Sequence, residues 1–507
     1  MKKSLILLTI LLGMSMMLAG CQGVSSKMKS ENPSGMASDG TRIEGATQIV
    51  LSDEDILVDG EVISTNEKEA VYMANDIIFY LEGQGIEYGE GTAKDGHSQT
   101  EADAHTVVHI TEPGTYEITG TLSAGQILVD LGDGAKKDEE AVVTLALNNV
   151  NLSCNVAPAI LFMNVYECGD DDADEAAMDV DLTGAGANIY LVDDSVNNIT
   201  GSYVAKIYES CELNEDGTKV VESKKLWKFD GAVYSRRSMN VYGDTGCLNI
   251  AAANEGLDTE LHLAIHGGYI NIDSGNDGIN VNEDNVSVFI MNGGNLDIKV
   301  NGSSGEGDGI DSNGWLVING GYVSASACGT SQDSGIDSEL GIHINGGTVI
   351  ASGNMMDRVE DSGQNHITFM VREGLKGGEI YQLKDMDGNL ITDIVRENDC
   401  QMLVISMENL EMDMAYTLWS GETQVAESSS GGMRGGPGGM GGPGGDMRPD
   451  DGQMPDNEMM PGGGRGQRPD GQMPEGEPGE VPEGMEPPEG FDPGQEPPAK
   501  PEELEQS

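Results

Sequence analysis

The chain has 507 residues, enough for several domains, and its 87 acidic against 27 basic side chains give a formal net charge of −60. Such a charge makes nucleic acid and anionic lipid surfaces poor direct partners and divalent cations good ones. Seventy-two glycines beside only 5% aromatics exclude a helical bundle and point to turn-rich β structure or disorder.

The first residues read as an address. Lys2 and Lys3 form a positive n-region, and Leu5 to Leu18 is apolar but short for a permanent membrane span. It runs into Leu18-Ala19-Gly20-Cys21, the order of a bacterial lipobox, in which the Cys21 thiol is lipidated and becomes the new N-terminus. The expected protein is lipid-anchored on the extracellular face of the bacterial membrane. It touches the bilayer only through Cys21 and is expected to be a monomer. The six remaining cysteines have no C-x-x-C spacing, so zinc is not indicated and no disulfide pairing is specified.

Residues 1–20 are thus a signal peptide and residues 21–45 a flexible tether. Ile49 to Val62 alternates weakly, as an N-terminal strand pair would, and Gly83 to Ala104 reads as a loop. From Thr106 short apolar runs punctuated by turns follow one another. They include Ile127 to Leu131, Val142 to Leu147, Ala159 to Met163, Ala187 to Leu191 and Met239 to Ile250. The acidic stretch Gly169 to Asp181 and the charged stretch Tyr208 to Lys225 read as loop excursions.

Between Asn254 and Asn354 one pattern recurs four times. The units open with Asn254-Glu-Gly-Leu-Asp, Asn276-Asp-Gly-Ile-Asn, Gly307-Asp-Gly-Ile-Asp and Asp333-Ser-Gly-Ile-Asp, and Asp230-Gly-Ala-Val-Tyr is a weaker fifth. Each leads to an alternating apolar run, a Gly-Gly pair and another run. The second glycines, Gly268, Gly294, Gly321 and Gly347, are spaced 26, 27 and 26 residues apart. That period, too short for a propeller blade and without a leucine/asparagine ladder, predicts stacked β repeats. The expected fold is all-β: a right-handed single-stranded parallel β-helix over residues 46–353, with the glycines at its corners. Residues 354–427 read as a small β cap, and 428–507 as a disordered Gly/Met/Pro and acid-rich tail.

In register on Leu257, Ile279, Ile310 and Ile336, the following residues are Asp258, Asn280, Asp311 and Asp337. Two positions before stand Glu255, Asp277, Asp308 and Ser334, with Asp333 beside the break and Asp230 as a candidate extension of the column. Stacking would place these carboxylates in a file, where neighbours near 5 Å repel by roughly 3 kcal/mol at an effective dielectric of about 20. Ca2+, a hard cation taking six to eight oxygens, is the expected remedy, with Ser312, Glu283 and Asp284 as nearby contributors. The same residue types also serve turns, so both roles stay open. Tyr269, Tyr322 and Trp315 are candidate sugar-stacking aromatics, or ordinary strand fillers. His262, His266 and His343 lack a nucleophile partner. Lys299, Arg236 and Arg237 are the basic residues near the repeats and have no evident cradle, so no catalytic residue is assigned.

The run from Val107 to Ile127, the Asp-Gly-Ile units, the Asn-Gly-Gly corners and the C-terminal tail resemble the bacterial carbohydrate-binding domain-containing protein family over roughly Ile43 to Thr423. The resemblance implies a pectate-lyase-like parallel β-helix that binds cellulose or acidic pectic polysaccharide. It also implies calcium ligands at Asp277, Asp308 and Asp311. Ser334, Glu255 and the insertions near Asp171 and Glu215 depart from the pattern and leave the number of sites open. Calcium-dependent binding of an extracellular polysaccharide without cleavage is the leading expectation. A polysaccharide lyase on the same scaffold and a structural surface protein or adhesin are the alternatives. A protein of charge −60 would hold a polyuronate only through bridging cations.

Overall fold

A computed structural model describes residues 43–169 and 171–430. The signal peptide, Cys21, most of the tether and the tail beyond residue 430 lie outside the described residues. What is described is all-β, with a single α-helical turn among the described residues, Gln99–Ala102. That turn lies inside the stretch expected to be a loop. Ser98 and Glu101 explain it, since each side chain accepts the other's backbone amide in a capping box.

Three strands recur in each repeat, and each pairs with its equivalent in the next. The first ladder is the nine-stranded sheet holding Ile160–Asn164, Gly231–Ser235, Glu255–Thr259, Ile279–Val281, Ile310–Ser312 and Ile336–Ser338. Its parallel register sets Val233, Leu257, Ile279, Ile310 and Ile336 one above another. All five are buried, so the side chains chosen by the alternation do form one apolar row. A second ladder runs through Met239–Gly243, Leu263–Ile265, Val288–Met291, Trp315–Ile318 and Gly341–Ile344. A third runs through Val196–Gly201, Cys247–Ala252, Tyr269–Ser274, Asn295–Val300, Tyr322–Ser326 and Thr348–Gly353.

The second and third ladders belong to one 19-stranded sheet because two early strands serve both. Gly114–Leu122 and Val143–Ser153 run through the bend without a break, with a register shift between Ile118 and Gly120. At that bend Gly120 has φ +94° and Asn149 φ +59°. In the later repeats the same place is a full corner at Gly268, Gly294, Gly321 and Gly347, where φ is +84° to +86°. Glycine is required there twice over, by the left-handed backbone and by close approach. A Cβ on Gly321 would lie 2.7 Å from the carbonyl oxygen of Gly294 in the repeat before.

The sheets are mixed rather than wholly parallel. His366–Leu375 and Cys400–Ser406 add to the last repeat antiparallel, Cys400–Ser406 pairing directly with Thr348–Gly353. Leu390–Val395, Ile380–Asp385, Ala415–Ser420 and Thr423–Ser429 form a four-stranded antiparallel sheet. These C-terminal strands gather their own buried cluster around Phe369, Leu383, Leu403 and Leu418. The stretch Tyr208 to Lys225, expected as a loop, is instead the core of an antiparallel hairpin, Val204–Leu213 with Val220–Phe229. Its register is broken by bulges and most of its residues are exposed, which blurred the strand alternation in the sequence.

The corner geometry yields a paired test. Gly321→Ala combines backbone strain of about 1–3 kcal/mol with the backbone clash and should lower urea-unfolding stability by more than that strain alone. Gly388→Ala, at φ +85° with open space around it, should show the strain alone.

Candidate functional site

The first ladder carries the chemistry. Its register places Tyr234, Asp258, Asn280, Asp311 and Asp337 in one row, directly after the buried apolar row. The expected file therefore exists as a backbone alignment, but its members differ sharply in surroundings. Asp258 is fully buried and Asn280 nearly so, whereas Asp311 and Asp337 are half-exposed. The difference comes from the hairpin. Lys228 at its end forms an ion pair with Asp230, Phe229 packs edge-on against Tyr234 at 5.1 Å between ring centres, and Lys225 holds Glu260 at 2.9 Å.

Asp230 does not extend the column of Glu255 as expected. Gly231 is the residue in register with Glu255, and Asp230 sits one position earlier. Its carboxylate nonetheless reaches the same place: one oxygen each from Asp230, Glu255 and Asp258 lie within 4.8 Å of one another. The three residues are only 9%, 4% and 0% exposed. Burial pushes the Glu255 and Asp258 carboxyls well above the ordinary range, reinforced by their neighbouring carboxylates. Burial also raises Asp230, against the pull of Lys228. For Lys228 itself burial works against the charge, but the attraction of Asp230, Glu255 and Asp258 prevails and holds the ammonium protonated.

The hydrogen bonds show what the cluster lacks. The Asn280 amide donates to Glu255 Oε1 and to Asn282 Oδ1, both at 3.2 Å, and Asn282 donates to Asp258 Oδ1 at 2.5 Å. Glu255 Oε2, Asp258 Oδ2 and Asn280 Oδ1 are buried with no hydrogen-bond partner. Buried acceptors without donors are costly, and a bound cation could both satisfy the carboxylates of Asp230, Glu255 and Asp258, which reach within 4.8 Å of one another, and hold them ionised. The donor set, carboxylates plus an amide oxygen, is that of a hard cation such as Ca2+.

The other predicted ligands are used differently. Asp277 accepts the Asp308 amide at 2.6 Å, Asp308 accepts the Ser334 amide at 2.5 Å, and Asp333 accepts the Gly307 amide at 2.7 Å. These three tie the corner of one repeat to the next, the turn role weighed against ligation in the sequence. Burial keeps the Asp277 and Asp308 carboxyls raised and pushes Asp311 up to about 6. Asp337 stays in the row beside Asp311. Ser312 donates to the Trp315 carbonyl and Asp284 accepts from Asn313, whereas the Glu283 carboxyl is raised by partial burial and by neighbouring Glu260.

The sequence model of the carbohydrate-binding domain-containing protein family matches residues 104–390, more than half of the chain and all of the ladder strands that build this site. The chain belongs to that family. A protein of the same description from Acetivibrio thermocellus is 30% identical over 178 residues, 35% of this chain and 47% of the relative, so the chain spans about half of that relative's length. A solved structure described as a polysaccharide lyase-like protein from C. thermocellum, gadolinium derivative, is 20% identical. It covers 62% of this chain and 95% of that one at a TM-score of 0.33, too loose a superposition to carry an argument.

The three aromatic residues singled out by the sequence fall on two ladders. Tyr269 and Tyr322 share one column of the third ladder with Asn295 between them, and Tyr322 is 37% exposed. Trp315 is on the second ladder, packed against the cluster of Leu182, Val288, Ile290 and Val317. His266 stacks on Tyr242 at 4.5 Å and joins Asn240 and Asn292 through its ring nitrogens. His262 Nδ1 accepts the Val288 amide. Both roles hold strands together.

Lys228, Tyr234, Glu260 and Asn282 complete the cluster and were not singled out by the sequence. Only the placement of Lys228 two residues before Asp230 hinted at the first. Lys228→Gln removes the internal counter-charge. The variant should melt lower than wild type in chelator and recover most of the loss in millimolar Ca2+, as read by circular dichroism.

Proposed function

We propose that this protein is a lipid-anchored, cell-surface carbohydrate-binding protein whose fold is completed by Ca2+ and which binds extracellular polysaccharide without cleaving it. Membership of the family supports the carbohydrate partner. The reading of the three ladders is a right-handed parallel β-helix. The same three strands recur in the same order, each pairs parallel with its successor, and parallel crossovers are right-handed almost without exception. The order of positive residues, apolar run and lipobox ending at Cys21 supports the anchor and the extracellular location, where Ca2+ is plentiful.

The observation that carries the calcium reading is the trio of buried, unpartnered oxygens on Glu255, Asp258 and Asn280, beside Asp230. Because Asp258 is fully buried, an ion there has no open face for a uronate to complete. Its role is to neutralise the cluster and hold the hairpin against the first ladder. Cation bridging of a polyuronate would fall instead to the half-exposed Asp311 and Asp337.

Binding is favoured over cleavage by the placement of Lys228: the basic side chain at the cluster is engaged in an ion pair with Asp230 and serves as its counter-charge.

Millimolar Ca2+ should raise the melting temperature over that in chelator by several degrees, the response to an ion at about 100 times its Kd, worth about 2.7 kcal/mol. Asp258→Asn should melt no lower than wild type in chelator and show no calcium response. An identical wild-type melt in calcium and chelator contradicts the reading. In the same buffers the protein should be retained by insoluble polysaccharide and release no ultraviolet-absorbing unsaturated product from polygalacturonate. Accumulation of that product would establish the lyase instead.

A further inference from the structure

Two adjoining concavities of about 310 Å³ each open on the side of the repeats where the third ladder ends, and they share Cys154, Asn155 and Thr200. Together they make one groove. Its course follows from the register: Ser153, Thr200, Ala251 and Asp273 stand side by side on successive strands, and the pairing of Leu122 with Leu152 brings Ser123 alongside Ser153. The groove therefore crosses the strands and runs along the stacking direction. Four strand-to-strand steps of roughly 4.8 Å give it a length of about 19 Å, room for several sugar rings in a row.

Resting on the carbohydrate-binding reading above, we propose that this groove is the binding site for a single polysaccharide chain without net charge, laid parallel to the stack. Three features of the lining fit that occupant. First, the floor is small: Gly201, Ala251 and Ala253 leave the backbone open to close approach by a flat chain. Second, the side chains of Ser153, Asn155 and Thr200 make no hydrogen bond to another described residue, although Asn155 and Thr200 are exposed and Ser153 half-exposed at the groove. Hydroxyls and a carboxamide left open in a row are the groups that exchange hydrogen bonds with sugar hydroxyls. Third, no lysine or arginine lines either concavity, and the charged side chains that do are acidic, Glu101 in one and Asp273 in the other. A polyuronate would meet these carboxylates in a protein of charge −60, with Lys299 in register beside Asp273 but outside the lining, and a neutral glycan meets no such repulsion.

The groove also abuts the proposed cation cluster along the chain. Ala253, in its floor, is two residues before Glu255, and the intervening Asn254 donates to the Asp230 carbonyl.

The test is isothermal titration of the intact folded domain with cellohexaose, a neutral β-1,4-linked glucan, and in parallel with an oligogalacturonate of equal length. Thr200→Trp and Ala251→Trp would fill the groove from exposed or half-exposed positions. Thr200→Val removes only the hydroxyl, and circular dichroism checks that each variant is folded. Met386→Ala, exposed among the C-terminal strands and outside the groove, is the control. The proposal expects cellohexaose binding by wild type and by Met386→Ala, loss of about tenfold or more in affinity with either tryptophan, and a smaller loss with Thr200→Val. Wild-type binding that survives both tryptophans overturns the groove while leaving the carbohydrate-binding reading intact. Tighter binding of the oligogalacturonate overturns the neutral occupant. A wild-type protein that binds neither, and is not retained by insoluble polysaccharide, removes the underlying reading as well.

Discussion

Parallel, in-register pairing of each repeat with the next is the constraint from which the rest of this molecule follows. Backbone hydrogen bonds fix the spacing between strands at about 4.8 Å whatever the side chains are. Any residue type that recurs at the same place in the repeat is therefore stacked on itself. For Val233, Leu257, Ile279, Ile310 and Ile336 the outcome is favourable, because apolar side chains bury one another. Asparagines gain as well: Asn151, Asn198, Asn249 and Asn271 pass amide hydrogen bonds from strand to strand at 2.8–2.9 Å. For aspartate and glutamate the same geometry is a penalty, since like charges are held together in a medium that screens them poorly.

The molecule meets that penalty in three ways. Asp277, Asp308 and Asp333 take backbone amides from adjoining repeats, which turns their charge into a tie. Asp311 and Asp337 remain within reach of water. Asp230, Glu255 and Asp258 have neither remedy in full. The hairpin that closes over them brings one ammonium, Lys228, and leaves three oxygens without partners. A buried site with its charge half compensated is where a bound cation would stabilise the fold most. The groove on the third ladder shows the complementary use of the same rule. There serine, threonine and alanine stand side by side before the row reaches Asp273, and their stacking brings no like charges together.

What the sequence disclosed was whatever depends on periodicity. The apolar row, the row of Asp258, Asn280, Asp311 and Asp337, and the glycine corners at Gly268, Gly294, Gly321 and Gly347 are all fixed by spacing, and the register and the positive φ angles agree with them. What stayed hidden depends on contacts between distant segments. Residues 204–229 alternate too poorly to read as strands, so neither the hairpin nor the arrival of Lys228 and Phe229 at the site was legible. Without that cover, the row looked uniformly exposed. Equal spacing also could not separate a carboxylate that takes a backbone amide, as Asp308 does, from one that keeps a buried oxygen without a partner, as Asp258 does in a neighbouring column. The groove was invisible for a related reason: small polar residues signal nothing singly and acquire meaning only when the register sets Ser153 beside Thr200 and Thr200 beside Ala251.

A crystal of the protein grown with calcium replaced by terbium would address the stacking and its electrostatic consequence together through the anomalous signal of the ion. The account predicts a strong peak enclosed by Asp230, Glu255, Asp258 and Asn280, between strands paired as described here. Peaks confined to exposed acids, or a cluster whose three open oxygens have found donors of their own, would contradict it.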